Sequence, residues 1–335
     1  MASHRKKKSI KERCVLAFVT LLFLSVAAVG AVHCLIVPPE PDVQEIVLPA
    51  SSETEQTQAE ETELPRLTRR DSCYTILVCG TDDDNGGCDT NILVCFDAAN
   101  TAVHCVSLPR DTLLDVSWSV KKLNNAYNHG GMDGMAEQVS YLLGIPVDFT
   151  VRVDLQAFRA LVDAIGGVYF DVPVDMDYDD PTQNLHIHIS KGYQLLDGQN
   201  ALGVVRFRKN NDGTGYATAD IGRIGTQQKF LQALASQTLV PSNLDKVSVL
   251  ANIFFTYVET DLSLGNLAWM GTTAIQKIGM ENIHFHTLPG DGAGYYKGVS
   301  YYTLDPEAVL EMVNLYLNPY EQDLTMEDLH ILSPN

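Results

Sequence analysis

The first strong pattern along the chain is an uncharged run from Cys14 to Val37. As a helix these residues span about 36 Å, enough to cross a hydrocarbon core of about 30 Å with some tilt. Arg5, Lys6, Lys7, Lys8, Lys11 and Arg13 precede the run and no basic residue directly follows it. This asymmetry predicts a cytoplasmic N-terminus and an external C-terminal body. The run is longer than the roughly 7–15 residues of a signal-peptide core, and His33 stands where a lipoprotein site at Cys34 needs a small residue, so an uncleaved anchor is expected. Pro38 to Asp71 has no aromatic residue, three prolines near its start and a Ser/Thr/Glu/Gln run from Ser51 to Glu63. It reads as a disordered tether.

Folded patterning begins with Tyr74 to Cys79, a short apolar run ended by Gly80 that suits a buried central strand. Asn91–Asp97 and Thr101–Leu108 flank Ala98-Ala99-Asn100 as a hairpin. Helices are predicted over Gly134–Leu143 and Gln156–Ile165. Phe158, Leu161, Val162 and Ile165 share one face of the second before Gly166-Gly167 stops it. Tyr169–Val174 and Ala201–Arg208 read as strands, and Ala219–Leu239 as a long helix. After Pro241 come helices at Asn243–Phe254, Leu264–Ile278 and Pro306–Leu317, with a strand at Ile283–Leu288. The alternation predicts an α/β fold with helices sandwiching the sheet. The expected divisions are a basic tail (1–13), an anchor (14–37), a linker (38–71), a core (72–240) and a C-terminal extension of the same domain (241–335).

Charge sharpens the picture. The 335 residues carry 23 Lys+Arg and 42 Asp+Glu, a net charge of -19. Such a balance excludes a protein that grips nucleic acid through its phosphates. Beyond residue 13 there are 17 basic and 41 acidic side chains, so the external part is the more acidic. The seven cysteines form no CxxC pair. Cys73, Cys79, Cys88, Cys95 and Cys105 crowd the first strands, and an odd count leaves at least one unpaired even where disulfides are permitted. Cys79, Cys95 and Cys105 lie in apolar runs and read as buried thiols.

Candidate chemistry gathers at strand ends. Gly80 to Thr90 is an acidic, glycine-containing loop after a buried strand, where α/β folds place ligands and where carboxylates suit a hard cation. It is not an EF-hand, because a loop starting at Thr81 has Ile92 at its twelfth position. Pro109-Arg110-Asp111-Thr112 also follows a strand. Arg206-Phe207-Arg208, taken as strand, would send both guanidiniums to one face. Asp220, Arg223 and Gln227 share one side of the long helix near its start. Six of the eleven basic residues between 72 and 240 fall in these segments and Lys121-Lys122. Convergent Arg and Lys beside a metal-binding loop suit a pyrophosphate. His186-Ile187-His188 and His284-Phe285-His286 would each present two imidazoles on one face of a strand. No Cys or carboxylate at a matching spacing joins them, so exposed strand histidines are expected rather than a zinc hydrolase.

These motifs resemble the LytR-CpsA-Psr family. The resemblance rests on the Gly80-Thr81-Asp82 loop, Asp89-Thr90, Pro109-Arg110-Asp111-Thr112, Lys122 to Tyr127 with Gly130-Gly131, and Val162 to Val168. It continues in Leu196 to Leu202, Arg206-Phe207-Arg208 and Asp220 to Arg223 with Gln227. It implies a central mixed β-sheet between helices. The implied activity is a phosphotransferase that moves a glycopolymer, such as teichoic acid or capsule polysaccharide, from an undecaprenyl-pyrophosphate carrier onto peptidoglycan at the cell membrane. It further implies Mg²⁺ on Asp82 and Asp89, with Arg110, Lys122, Arg206, Arg208, Arg223 and Gln227 around the pyrophosphate and an apolar tunnel for the lipid. Asp89 and Asp111 are candidate bases. Two positions depart from the family pattern, Gly87 and Thr226, where arginines are usual. Those departures support an alternative, a non-catalytic binder of polyprenyl pyrophosphate or glycopolymer with the same fold.

Overall fold

The computed structural model describes residues 36–41, 67–82, 87–182, 185–216 and 219–333. The expected anchor lies outside the described residues except for Ile36 and Val37. Among the described residues no helix is long and apolar enough to cross a membrane.

A six-stranded mixed sheet forms the centre. Its strands are β1 (Cys73–Asp82), β2 (Gly87–Asp97), β3 (Ala102–Leu108), β4 (Phe149–Asp154), β9 (Glu259–Thr260) and β10 (Ile283–Thr287), in the order β10-β3-β2-β1-β4-β9. The antiparallel β1–β2–β3 meander carries parallel partners on either side, β4 on β1 and β10 on β3. Both faces are covered. Leu77, Cys79, Leu93 and Val106 pack with α1 (Leu123–Leu143) and α7 (Pro306–Met312) on one side. Ile76, Phe96 and Val151 pack with α2 (Leu155–Ala164) and α6 (Leu264–Thr273) on the other. This is the α/β sandwich that the alternation predicts, with both edge strands drawn from the region after residue 240.

A smaller layer completes the molecule. It holds two hairpin-like pairs, β5 (Val168–Val172) with β8 (Gly192–Leu196) and β6 (Met176–Asp180) with β7 (Leu185–Ile189). They pack around α3 (Gly198–Arg206) and α4 (Ala219–Thr238) through Val172, Ile187, Val204, Phe207 and Phe230. A further helix, α5 (Val247–Tyr257), and an antiparallel pair, β11 (Gly290–Tyr296) with β12 (Val299–Leu304), follow.

Two expectations change. The segment read as a strand over Ala201–Arg208 is mostly helix α3. Asp197 accepts a hydrogen bond from the Asn200 amide at 2.8 Å and caps it, and Ala201, Leu202, Val204 and Val205 recur at helical spacing. A Cβ at Gly198 would overlap the Arg159 carbonyl of α2, which is why glycine opens this helix. The helix expected from Gly134 begins instead at Leu123 and bends at Gly130 and Gly131, the latter with φ 62°. Of the tether expected over 38–71, residues 38–41 and 67–71 are described. The Val37 carbonyl accepts from Asn266 Nδ2 and Pro39 is buried. Arg69 and Arg70 pair with Asp148 and Asp97, each at 2.7 Å. From residue 67 to Asp82 the described chain is continuous with β1.

Cys73, Cys79, Cys88, Cys95 and Cys105 are free thiols in this structure, four of them buried. Cys73 and Cys95 stand with Sγ atoms 3.6 Å apart, and the Cys79 and Cys88 thiols hydrogen-bond to each other. Cys105 is alone, its thiol pushed up to about 12 by burial.

Two stability predictions follow from these contacts. Asp148 is 3% exposed and accepts from Arg69, the Thr75 amide and the Thr75 hydroxyl. Arg69→Met leaves that carboxylate short of its charge partner and should lower unfolding free energy by about 2 kcal/mol in urea titrations, less than for a fully buried pair because Arg69 is partly solvated. At the β3–β10 edge, His104 stacks on His284 and lies tilted against Tyr316, and its pKa falls to about 4, first through burial and then through His284 and His286. The unfolded chain binds this proton near pH 6.5 and the folded chain does not, so stability should be lost as pH drops from about 6.5 to 4. His104→Phe should flatten that loss in denaturation midpoints measured across the window.

Candidate functional site

Strand directions bring the polar segments together. β1, β3, β4 and β10 run the same way and β2 runs opposite, so the ends of β1, β3 and β4 and the start of β2 share one rim. Gly80 lies opposite Thr90 there, and a Cβ on Gly80 would stand 3.2 Å from the Thr90 Cβ. Asp82 closes β1 opposite Gly87. The Asp82 side chain and residues 83–86 lie outside the described positions, as does the Asp220 side chain.

After β3 the chain turns tightly. The buried Thr112 donates its hydroxyl and amide to the Pro109 carbonyl at 2.7 and 3.0 Å. The Arg110 and Thr112 carbonyls accept from the first amides of α1, Asn124 and Leu123. The Tyr302 amide of β12 donates to the Asp111 carbonyl. The Pro109–Thr112 and Lys122–Asn124 motifs are thus one structural unit, and it presents Arg110, Asp111 and Lys122 to the rim. Arg110 Nη1 meets Asp89 Oδ1 at 2.6 Å, and Lys122 Nζ meets Asp111 Oδ2 at 3.2 Å and lies over the Tyr301 ring. These groups are well solvated, so each pair is worth under about 1 kcal/mol and yields readily to a stronger anion.

Two cavities meet here. One, of about 610 Å³, is walled by apolar side chains including Val78, Ile92, Phe158, Leu185, Leu202 and Val205. The other, of about 550 Å³, is lined by Asp111, Lys122, Asp291, Ser300 and Tyr301. Asp89, Arg110, Arg208, Arg223 and Gln227 border both, and Arg206 borders the apolar one. The result is an apolar arm and a polar arm joined through a cationic waist. α4 is held across this junction by adjacent glutamines. Gln227 Nε2 donates to the Val205 carbonyl of α3 at 2.9 Å, and Gln228 Nε2 to the His286 carbonyl of β10 at 2.8 Å.

The structure assembles Asp89, Arg110, Asp111, Lys122, Arg206, Arg208, Arg223 and Gln227 around one space. Arg206 and Arg208 reach it by a different route than strand alternation. Arg206 ends α3, and the extended, buried Phe207 turns the chain so that Arg208 follows on the same side. Lys121 lines neither cavity. Thr226 is buried, with its hydroxyl donating to the Gly222 carbonyl, so this position faces protein. A side chain at Gly87 would emerge beside the Asn124 carbonyl, 3.7 Å away, at the start of α1. Sequence reasoning missed Asp154, Tyr178, Lys209 and Tyr301, which also line the cavities. Asp154 was signalled by its place before a helical pattern, where it caps α2 through the Ala157 amide.

Carboxylate oxygens are the hard donors Mg²⁺ takes, and Asp89 presents them to the waist, so the donor chemistry fits that ion. The histidine expectation needs correction. His186 and His188 do project from an exposed strand, yet carboxylates accompany them. Asp179 and Asp177 stand directly across β6, and β6 was not recognised as a strand from the sequence.

The LytR_cpsA_psr family model matches residues 46–316. The polyisoprenyl-teichoic acid–peptidoglycan teichoic acid transferase TagV of Bacillus subtilis (strain 168) is 31% identical over 261 residues, covering 74% of this chain and 64% of its own length. This chain therefore spans under two thirds of that relative. TagU of Bacillus mycoides (strain KBAB4), a transferase described in the same words, is 29% identical over 245 residues, 72% of this chain and 76% of its own. The crystal structure of B. subtilis TagV matches with a TM-score of 0.61 at 27% identity, covering 72% of this chain and 94% of that one.

A guanidinium–phosphate contact is worth about 1.5–3 kcal/mol wherever one forms. Arg110→Ala or Arg208→Ala should accordingly weaken binding of a short prenyl pyrophosphate at least tenfold in calorimetry, and a matching prenyl alcohol should bind equally to all three proteins. Equal pyrophosphate affinity in the variants would place the anion elsewhere.

Proposed function

Because the chain belongs to the LytR-CpsA-Psr family, we propose that it is a membrane-anchored, extracellular phosphotransferase that moves a glycopolymer from an undecaprenyl-pyrophosphate carrier onto peptidoglycan. The observation that carries this reading is the cationic waist between an apolar and a polar arm. A lipid-linked donor has the same order of parts: an apolar tail, a pyrophosphate and a glycan. The named activities of the TagU and TagV relatives, teichoic acid transfer from a polyisoprenyl carrier to peptidoglycan, support the substrate class.

In the proposed reaction an acceptor hydroxyl on peptidoglycan attacks the glycan-bearing phosphorus. The bond from that phosphorus to the bridging oxygen breaks, undecaprenyl phosphate leaves, and the glycopolymer is joined through a phosphodiester. Arg110, Arg208 and Arg223 neutralise charge on the pyrophosphate oxygens, with Arg206 and Lys122 flanking them. Gln227 keeps α3 and α4 in register, so that these guanidiniums stay converged. The hydroxyl proton goes to Asp111, or to Asp89 once released from the metal, the carboxylates that line the polar arm. Mg²⁺ would be held by Asp82 and Asp89, and when bound it supplies positive charge beside the pyrophosphate. The net charge of -19 would repel a polyanionic donor everywhere except at this cationic patch, which favours dependence on the divalent ion.

The test combines a lipid-pyrophosphate oligosaccharide, peptidoglycan and the purified chain with Mg²⁺ or with EDTA. Arg110→Ala and Asp89→Ala should each cut transfer at least a hundredfold at unchanged thermal stability, and EDTA should abolish it. Wild-type rates in either variant would remove that residue from the site. A wild-type chain that binds the donor and forms no product would overturn the enzyme reading in favour of the binding protein that Gly87 and Thr226 suggest.

A further inference from the structure

A second cluster lies on the outer face of the β6–β7 hairpin, apart from the waist. Strict alternation sends Met176, Ile187 and Ile189 into the core and leaves Asp177, Asp179, His186 and His188 outside. The register sets Asp177 directly opposite His188 and Asp179 opposite His186. His188 Nδ1 meets Asp177 Oδ1 at 2.7 Å and His188 Nε2 lies 3.4 Å from Asp179 Oδ1, while His186 Nδ1 hydrogen-bonds the same Asp179 oxygen. One ligand atom from each of Asp179, His186 and His188 falls within 4.8 Å of the others, and among the described residues no other such group is found.

We propose that Asp179, His186 and His188 form a binding site for a divalent transition metal, Zn²⁺ by its ligand chemistry, with Asp177 as the group that orients His188. Two imidazoles and a carboxylate are the donor set of three-ligand zinc sites, and imidazole selects zinc over the magnesium suited to Asp89. Metal bonds of 2.0–2.1 Å in a tetrahedron put ligand atoms about 3.4 Å apart. His188 Nε2 and Asp179 Oδ1 already stand at 3.4 Å, the hydrogen-bonded His186–Asp179 pair has to open, and any wider separation within the 4.8 Å cluster has to close by up to about 1.4 Å, adjustments that rotation of exposed side chains can make. The His188–Asp177 contact is the carboxylate–histidine arrangement that fixes Nδ1–H and leaves Nε2 free for a metal. Three protein ligands leave the fourth position to water or to a group from a partner.

The site has a lever on the cavity. Tyr178 and Leu185, in the same two strands, line the apolar arm. On its other edge β6 is held by the loop after Arg208, where the Asp177 and Asp179 amides donate to Asn210 and Asn211, both at 2.7 Å. A metal that ties β6 to β7 therefore stiffens one wall of the apolar arm and the loop that follows a waist arginine. None of this depends on the transfer reaction proposed above.

The experiment titrates Zn²⁺ alone into the untagged full chain, purified without chelators, and follows binding by calorimetry and visible absorption by Co²⁺ substitution. One metal per chain is expected. His186→Ala and His188→Ala should each weaken zinc at least a hundredfold, and Asp177→Asn about tenfold, the size seen for groups that orient a ligating histidine. Asp89→Ala and His284→Ala should leave zinc affinity unchanged, and zinc should raise the melting temperature of the wild type but not of His188→Ala. Stoichiometric zinc retained in His188→Ala, or no binding below millimolar zinc in the wild type, would overturn the site.

Discussion

The arrangement of this molecule depends on a central sheet covered on both faces. Leu77, Cys79, Leu93 and Val106 have no exposure at all, so nothing charged fits along the middle of β1, β2 or β3 without a partner. Polar groups are pushed to where the strands stop. Because three of the four central strands point one way and the fourth returns between them, their polar ends coincide at one rim. Asp89, Arg110 and Asp154 belong to three different strand ends and meet for this reason. The helices then supply what the strands do not: α3 ends on Arg206, and α4 carries Arg223 and Gln227 across the opening.

The same constraint explains what could be read from the sequence. β1 and the β2–β3 hairpin were legible because burial on both faces leaves unbroken apolar runs between turn residues. The Pro109–Thr112 and Lys122–Asn124 motifs were visible one by one. Their union was not, since it is made of main-chain hydrogen bonds over a gap that no side-chain pattern records. Ala201–Arg208 misled because an apolar run of this length fits a buried strand or a short helix equally, and the deciding signal, Asp197 as a cap, lies upstream of the run. Even so, Phe207 separates the two arginines as expected, through one extended residue at a helix end.

The histidines show a different limit. His186 and His188 alternate with apolar residues, so their shared face was evident. Their carboxylate partners come from Met176-Asp177-Tyr178-Asp179-Asp180, a segment whose acidity hides its strand character because Asp is disfavoured in strands. Cross-strand register, which pairs Asp179 with His186 seven positions on and Asp177 with His188 eleven positions on, is a property of the folded hairpin. The odd cysteine count resolves in a similar way. Two close thiol pairs and a solitary Cys105 emerge only when β1 and β2 are laid side by side.

The docking of Arg69 and Arg70 has a mechanical side. Arg69 also bridges to Tyr320 near the C-terminus, and both arginines precede β1 by only a few residues. A pull on the chain from its N-terminal side meets the Val37–Asn266 contact first, and this clasp before it reaches the sheet. If the clasp yields, the load runs along β1, between β2 and β4, and is shared by both hydrogen-bond ladders at once instead of opening them one rung at a time. The strand that ends at the rim is thus the one that carries the load, held by a ladder on either side.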